Sequence, residues 1–295
     1  MFLDLRTLRP VEKQNWLQHA IAPRPIAFAT TVDRDGNINL SPFSFFNMFS
    51  SNPPIVIFSP ARRVRNNTIK HTLENVYEVA EVVLNICDFD MVQQVSLSSC
   101  EFPKEVNEFQ KAGFTAIPAT FVRPPMVKEA KVKLECIVKE IKPLGTEGGA
   151  GNLIIAEVVC MHIEDDILSE DKKTIDQKKL HHIARLGGDW YCSVNETNLF
   201  KVPKPNVKLG IGLDALPENI RNSKTLTGNH LGQLANVHEL PQIEPNYENE
   251  RLKNIITYYS GDPAEMEKEL HIYASVLLNE NKVEDAWQVL LTSGE

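Results

Sequence analysis

A cluster of phosphate-binding residue types follows the short β-branched run 55–58. The cluster consists of Ser59, Arg62, Arg63, Lys70 and Thr72. We predict that Asn67 caps a helix running through Leu73 and Val76. Hydroxyl groups, guanidinium groups and a helix N-terminus together hold a phosphate monoester. A solvated basic helix is the alternative, and a net charge of −8 weakens it because the basic cluster stands out in an acidic chain.

The segment 41–47 combines aromatic rings with hydroxyl and amide groups at the end of a predicted strand. A planar heteroaromatic cofactor needs apolar surfaces against its faces and hydrogen-bonding groups at its edges. On its own, the segment is more typical of a core strand with incidental polar residues. Together with the basic cluster, it indicates a site for a phosphorylated aromatic ligand.

Other catalytic and metal-binding motifs are missing from the sequence. There is no Walker A motif and no GxSxG nucleophile motif, and the five cysteines include no CxxC pair. The adjacent His181 and His182 point apart on either a helix or a strand, so we predict no metal site there. We assign no catalytic side chain.

Charge and hydropathy limit the partners of the chain. The net charge of −8 argues against a nucleic-acid or anionic-membrane surface, which needs a basic face. No apolar run is long enough to span a bilayer, and the first ten residues lack the apolar core of a signal peptide. We therefore expect a cytoplasmic protein.

Residues 24–165 have mostly the pattern of short strands. An apolar run over 25–31 ends at the Asp35-Gly36 turn, which predicts a hairpin. Alternation over 132–138 predicts a strand with one buried face, paired with a second strand over 153–163. Many strands with few helices predict a mainly β domain, closed or partly closed into an antiparallel barrel.

The composition of the sequence changes near residue 199. Residues 199–244 are rich in Pro, Gly and Asn, which predicts an extended arm. In residues 245–295, Asp262, Pro263 and Glu265 mark a helix start, and two apolar stripes predict a helical hairpin that docks on the barrel or on a second subunit. The predicted domains are a barrel over 1–198, the arm over 199–244 and a helical extension over 245–295.

The order and spacing of several short motifs, over about residues 10–195, are more specific than any one of them. The motifs are Arg24–Ala27, Asn39–Asn47, Pro53-Pro54, Lys70–Asn75, Glu81–Asn85, Phe102-Pro103, Glu108-Phe109, Ala112-Gly113, Pro124-Pro125, Leu134–Cys136 and Ala184–Tyr191. In this series the chain resembles the flavin-reductase-like FMN-binding split barrels, which include flavoredoxins. One departure is Lys70-His71-Thr72, where the family usually has Lys-Asp-Thr.

The resemblance implies a homodimeric six-stranded Greek-key split barrel with FMN near the subunit interface. It also implies roles for individual residues. The strand residues lining the flavin would be Thr30, Thr31 and Ser41. The isoalloxazine contacts would be Ser44, Phe45, Phe46 and Asn47. The phosphate would be held by Ser59, by Arg62 or Arg63, and by Lys70 and Thr72. The substrate side of the ring would be bordered by His182, Arg185 and Tyr191.

The leading functional hypothesis is an NAD(P)H-dependent flavin or small-substrate oxidoreductase that works by hydride transfer through bound FMN. A flavoredoxin-like electron carrier with a protein redox partner needs the same pocket. A third hypothesis is a non-catalytic flavin-binding protein whose tail covers the pocket. A pyridoxamine-phosphate-oxidase-like barrel is a fourth, and the Arg185–Asp189 segment and the Phe45-Phe46-Asn47 motif favour the flavin-reductase branch over it.

Overall fold

The fold is described for residues 1–205, 208–245 and 247–292 of a computed structural model. The chain divides into two compact units, Met1–Phe200 and Lys201–Glu295. No helix in the described ranges combines the length and the apolar character that a membrane crossing requires.

The first unit is built on β-strands. They are β1 Ala27–Val32, β2 Ile38–Phe43, β3 Phe46–Ser51, β4 Pro54–Phe58, β5 Glu81–Ile86, β6 Ala116–Ile117, β7 Met126–Val127, β8 Val132–Pro143, β9 Asn152–Ile163, β10 Ile183–Arg185 and β11 Tyr191–Ser193. Seven of them form one antiparallel sheet in the order β2-β1-β5-β8-β9-β4-β3. The resemblance implies six strands. Here β3 is an edge strand, held by its hairpin with β4.

Two predicted strand pairs are confirmed. The apolar run before Asp35-Gly36 is β1, which pairs with β2 across that turn. The alternating segment is β8, and its partner β9 runs antiparallel to it over twelve residues of each strand. The register shifts between Glu135 and Cys136 and again between Val138 and Glu140, so the pair carries two irregularities.

The first unit also contains short helices. They are α1 Pro10–Ala20, α2 His71–Glu78, α3 Val92–Leu97 and α4 Glu108–Ala112, with 3₁₀ turns at Leu5–Thr7, Phe89–Met91, Asp165–Ile167 and Glu196–Asn198. The predicted helix start at Asn67 is wrong, because Asn67 has a left-handed φ of 56° and α2 begins at His71. Lys70 is the N-cap residue of α2 and makes no side-chain capping bond.

Apolar side chains form separate clusters within the first unit. One contains Phe58, Leu73 and Leu84, and so buries the inner face of α2 against the strands. Another contains Phe28 and Phe114, whose ring centroids lie 5.2 Å apart in an edge-to-face arrangement. Strand β1 contributes to both clusters, which is why all six of its residues are buried.

The second unit is helical. Its helices are α5 Glu218–Arg221, α6 Gly228–Ala235, α7 Glu250–Tyr258, α8 Pro263–Asn279 and α9 Val283–Leu291, with a 3₁₀ turn at Leu213–Ala215. The predicted helix start is confirmed, since the Asp262 carboxylate accepts a hydrogen bond of 3.1 Å from the Glu265 backbone N–H. Helices α8 and α9 bury Leu270, Ala274 and Trp287.

The segment 199–244 differs from the predicted extended arm, because it contains α5 and α6. Leu216, Ile220, Leu226 and Leu234 of this segment are buried in the same core as α8 and α9. Its Pro, Gly and Asn residues mark the ends of short helices, and these ends obscure the apolar spacing that a longer helix would show.

Candidate functional site

A narrow cleft opens at the N-terminal end of α2, beside β2. Its lining residues are Asn39, Ser41, Arg63, Lys70, His71, Thr72, Ser98, Cys100, Glu101, Phe102 and Glu108. The predicted phosphate-binding residues Arg63, Lys70 and Thr72 therefore share one cleft, together with Ser41. The N-terminus of a helix adds positive electrostatic potential to that position.

Lys70 contributes a cation to this cleft that makes no direct ion pair in the described part of the chain. In the part of the chain that the structure describes, its ammonium group has no hydrogen bond and no ion pair. Burial lowers the pKa of Lys70, nearby Arg63 lowers it further, and Glu101 opposes both. An anion bound in the cleft would offset the cost of keeping this ammonium group charged.

The two candidate arginines have different surroundings. Arg63 lines the cleft, donates from Nη1 to Thr68 Oγ1 at 3.0 Å, and has its Nε atom 3.3 Å from Glu101 Oε1. Arg62 does not line the cleft. Its guanidinium group bonds to the side-chain and backbone oxygens of Asn67, at 2.6 Å in each case. The geometry therefore favours Arg63 over Arg62 as a ligand-binding residue.

A buried polar network supports the floor of the cleft. Thr72 Oγ1 donates to Asn39 Oδ1 at 2.6 Å, and Asn39 Nδ2 donates to Glu108 Oε1 at 2.9 Å. The second carboxylate oxygen of Glu108 accepts a hydrogen bond of 3.1 Å from the Leu40 backbone N–H. Burial raises the pKa of Glu108, and these hydrogen bonds act in the opposite direction. Sequence reasoning assigned no role to Asn39 or Glu108.

The predicted isoalloxazine segment forms the turn and the first residues of the edge hairpin. Ser44 and Phe45 lie between β2 and β3, and Phe46 packs against the core. Asn47 is exposed on β3, and Phe45, in the turn before it, has 41% of its surface accessible. The segment therefore offers both aromatic surface and polar groups at an open edge of the sheet.

Ser59 lies beside this turn and does not line the cleft. Its backbone N–H donates to the Phe45 carbonyl oxygen at 2.9 Å, which ties the end of β4 to the turn. Its hydroxyl faces Gly151, where an added Cβ would lie only 2.7 Å from Ser59 Oγ. The absence of a side chain at Gly151 therefore leaves room for the Ser59 side chain beside the start of β9.

Thr30 and Thr31, which the resemblance places against the flavin, are fully buried in β1. Asn85 Nδ2 donates to Thr30 Oγ1 at 3.2 Å, and Asn75 Nδ2 donates to Thr31 Oγ1 at 3.1 Å. Both hydroxyls are therefore engaged within the core, and neither residue lines the cleft or the cavity described next.

A cavity of about 450 Å³ lies between α3 and the strands β10 and β11. It is lined by Phe89, Val92, Gln93, Ser96, Ile183, Arg185, Asp189, Tyr191, Cys192 and Ser193. Two predicted substrate-side residues, Arg185 and Tyr191, are among them. The Arg185 guanidinium carbon lies 4.5 Å from the centre of the Tyr191 ring, and its Nη2 donates to the Gly188 carbonyl oxygen at 2.7 Å. Such a stacked guanidinium group is held ready for an anionic or aromatic ligand.

The turn that carries Arg185 is closely packed against α1. Gly188 has a positive φ of 57°, which allows the chain to reverse between β10 and β11. An added Cβ at Gly187 would lie 2.2 Å from the ring of His19, so only glycine fits there without movement of that ring. The turn thus depends on both glycines for its shape.

His182, the third predicted substrate-side residue, lies outside the cavity lining. It forms an isolated antiparallel bridge with Asp88. Burial lowers the pKa of His182, and the Asp88 carboxylate opposes that effect. The cavity residues Val92, Gln93 and Ser96 were missed from sequence, because α3 has no distinctive motif that links it to the Arg185 turn.

Comparisons with known proteins identify the family of this fold. Residues 19–183 match the model of the flavin reductase like domain. The chain belongs to this flavin reductase-like family. An uncharacterised family relative from Halalkalibacterium halodurans is 34% identical over 209 residues, which cover 70% of this chain and 98% of the relative.

Solved structures agree with the family assignment. Nitrilotriacetate monooxygenase component B from Bacillus cereus is 29% identical to the chain, with a TM-score of 0.63 over 68% of this chain and 98% of that one. Flavoredoxin of Desulfovibrio vulgaris (Miyazaki F) is 20% identical, with a TM-score of 0.53 over 68% and 97%, and shares the fold. Membership of the flavin reductase-like family links the chain to flavin-related redox chemistry.

Proposed function

We propose that the chain is an FMN-binding oxidoreductase in which NADH or NADPH reduces the bound flavin by hydride transfer. The observation that carries the proposal is the cleft at the start of α2, where the ammonium group of Lys70 makes no hydrogen bond and no ion pair among the described residues. A phosphate monoester supplies that anion, and family membership indicates flavin as the group that bears it. FMN, unlike riboflavin, carries such a phosphate.

The chain's own residues divide the binding work. Lys70 and Arg63 provide positive charge for the phosphate, and Ser41 and Thr72 provide hydroxyl groups beside it. To donate to a phosphate, the Thr72 hydroxyl must turn away from Asn39 Oδ1. We propose that Ser44, Phe45, Phe46 and Asn47 contact the isoalloxazine, with Ser59 holding their turn in place.

The cavity near Arg185 is the proposed site for the nicotinamide nucleotide or another small substrate. Its volume of about 450 Å³ lies within the usual range for small-molecule sites. Arg185 would bind a phosphate or carboxylate of the donor, and Tyr191 would hold the guanidinium group in place. When bound, FMN supplies the hydride acceptor, so the protein needs to orient the reactants and exclude water. No side chain is required as a general acid or base in this step.

We propose that residues 1–198 form the flavin-binding split barrel, with six of its strands in Greek-key order, and that it works as a cytoplasmic homodimer. The exposed apolar side chains of the edge strand support dimerisation, since Met48 and Phe49 have 68% and 63% of their surfaces accessible. An uncovered apolar edge strand fits a subunit interface better than a solvated surface. The dimer would place a second chain beside the Phe45 turn.

The test is visible spectroscopy of the full-length protein loaded with FMN, before and after anaerobic addition of NADH or NADPH. Bleaching of the flavin bands by either nucleotide supports the oxidoreductase. Bands that persist until dithionite is added contradict nucleotide-dependent reduction and favour an electron carrier. Failure to retain FMN on desalting contradicts the whole proposal.

A substitution at Lys70 isolates the contribution of the phosphate. Lys70→Met should weaken FMN binding about 10- to 100-fold, because a charge-assisted contact contributes about 1.5–3 kcal/mol. Riboflavin, which lacks the phosphate, should bind the variant and the wild type equally. Lys111→Met, an exposed change on α4, is the matched control and should leave both affinities unchanged. Equal losses for FMN and riboflavin would show that Lys70 does not bind the phosphate.

A further inference from the structure

A second cluster of chemically active side chains lies between β8 and β9, outside both the cleft and the cavity. The donor atoms of Glu135, Cys160 and His162 all lie within 4.8 Å of one another. His162 Nε2 is 2.6 Å from Glu135 Oε1 and 3.6 Å from Cys160 Sγ. Cys160 and His162 are two residues apart on β9, so their side chains share one face of the strand.

The register of this strand pair brings Glu135 into the cluster. Lys133 is paired with His162 and Glu135 with Cys160, so the Glu135 side chain lies on the same face of the sheet as Cys160 and His162. The register shifts only after this pair, where Cys136 is paired with Val158. Three donor atoms are therefore gathered by two strands of the main sheet, which are more rigid supports than loops.

The geometry does not match a cysteine nucleophile with its base. In a Cys–His–carboxylate arrangement, one ring nitrogen faces the thiol and the other faces the carboxylate. Here the same atom, His162 Nε2, faces both Cys160 and Glu135. That nitrogen carries at most one proton, so it cannot donate to both partners. A cation in place of the proton would contact all three donor atoms together.

Glu135 is prepared to act as an anionic ligand. Its side chain is fully buried, Oε1 accepts from the Thr120 backbone N–H at 2.9 Å, and Oε2 accepts from the N–H groups of Phe121 and Val122 at 2.6 and 3.1 Å. Backbone donors of this kind orient a carboxylate ligand.

We propose that Glu135, Cys160 and His162 form a binding site for a divalent transition metal of the zinc class. A thiolate, an imidazole and a carboxylate are a ligand set that Zn²⁺ accepts in tetrahedral coordination, and three protein ligands leave one position for water. The His162 side chain is 29% exposed, so an ion can enter from the solvent. The site does not involve the residues assigned to FMN, and it stands or falls independently of flavin binding.

The test is titration of the chelator-treated, full-length protein with Co²⁺, followed by Zn²⁺ displacement. We expect one Co²⁺ per chain, with a thiolate-to-cobalt charge-transfer band that Zn²⁺ abolishes. Cys160→Ser should remove the band, and His162→Gln should weaken binding more than about 100-fold, because loss of an outer-shell partner alone costs 10–100-fold. Cys100→Ser, at an exposed cysteine, is the matched control and should change neither. Binding without a charge-transfer band, or a band that survives Cys160→Ser, would overturn the proposal.

A second measurement uses the wild-type protein, so a variant that fails to fold cannot affect it. Alkylation of the wild-type protein is followed by peptide mass spectrometry with and without one equivalent of Zn²⁺. The metal should slow the labelling of Cys160 at least tenfold and leave the exposed Cys100 unaffected. Equal labelling rates of Cys160 in both samples would contradict metal binding at this cluster.

Discussion

Asp88 and His182 face each other in an antiparallel bridge at the border of the substrate-side segment. Asp88 is 2% exposed, and its Oδ1 accepts a hydrogen bond of 3.1 Å from the Asp90 backbone N–H. Its Oδ2 is buried and has no hydrogen-bond partner among the described residues. Burial raises the pKa of Asp88, with a further increase from Asp90, and the Asp88 carboxylate in turn favours the charged form of His182.

The first prediction concerns the pH dependence of stability. Because the folded pKa of Asp88 lies above the ordinary value of 3.8, the folded protein binds this proton more tightly than the unfolded chain. The stability that protonated Asp88 contributes is fully present below pH 3.8, and it is lost as the pH rises through the folded pKa. The free energy of unfolding of wild type minus that of Asp88→Asn should therefore fall as the pH rises above 3.8. Urea unfolding at several pH values measures the difference, and an increase with pH would contradict it.

The same substitution predicts a change at His182. Removing the Asp88 carboxylate leaves burial unopposed, so the pKa of His182 should be lower in Asp88→Asn than in the wild type. Titration of the His182 ring signals by NMR checks this. An unchanged or higher pKa of His182 in the variant would contradict the prediction.

The network beneath the cleft predicts a cost for Thr72→Val. This change removes the donor to Asn39 Oδ1 and leaves that buried oxygen unpaired, which should lower the free energy of unfolding by about 1–3 kcal/mol. Chemical denaturation measures the loss. Thr115→Val, at an exposed position of the same unit, should change stability by less than about 0.5 kcal/mol. Equal effects of the two substitutions would show that the buried hydrogen bond contributes nothing specific.

Substitutions of the two adjacent arginines should affect FMN binding to different extents. Arg63→Met should weaken FMN binding about 10- to 100-fold, because it removes a cation from the cleft wall. Arg62→Met should have little effect, because that guanidinium group is bonded to Asn67 outside the cleft lining. Fluorescence titration of the flavin measures both variants. A larger loss for Arg62→Met would exchange the roles of the two residues.

The stacked pair in the larger cavity predicts a defect in nucleotide use with intact flavin binding. Arg185→Met should raise the KM for the nicotinamide nucleotide about tenfold or more, because one charge-assisted contact is lost. The affinity for FMN should stay unchanged. Tyr191→Leu, which removes only the ring beneath the guanidinium group, should cause a smaller increase. Steady-state kinetics separate these effects, and a loss of FMN affinity in Arg185→Met would contradict the assigned role.

The core of the second unit predicts a loss of stability without a loss of flavin binding. Trp287 is fully buried in the cluster formed by α8 and α9, so Trp287→Ala should destabilise this unit by about 3–5 kcal/mol. All residues assigned to the flavin lie in Met1–Phe200, and the affinity for FMN should remain that of the wild type. Thermal unfolding and FMN titration of the same sample measure both. Weakened FMN binding in this variant would assign the second unit a part in the site.

Local sequence patterns were sufficient to predict a helix or strand where one face of that element is buried. The alternation over 132–138 predicts β8, and Asp262 with Pro263 predicts the start of α8, because each depends on nearby residues only. The start of α2 was misplaced since Asn67 is a good cap residue by type. Its left-handed backbone serves the Arg62 turn, and that geometry cannot be inferred from residue type.

Long-range partners explain the rest of the difference between prediction and structure. Thr30 is a polar residue on a buried strand, and nothing near it in sequence shows that Asn85 is its partner. Glu108 supports the cleft through Asn39, which lies 69 positions earlier in the chain. The Cys160–His162 spacing is visible in the sequence, but Glu135 joins it only through the pairing of β8 with β9, which places Glu135 opposite Cys160.

The close approach of Gly187 to His19 has a consequence for how this chain can vary during evolution. An added methyl group at position 187 would collide with the imidazole ring of α1, so the size of residue 19 limits what position 187 can accept. The two positions should therefore change together. In a saturation library, Gly187→Ala should survive mainly beside a small residue at position 19, and the history of the N-terminal helix would be coupled to that of the Arg185 turn.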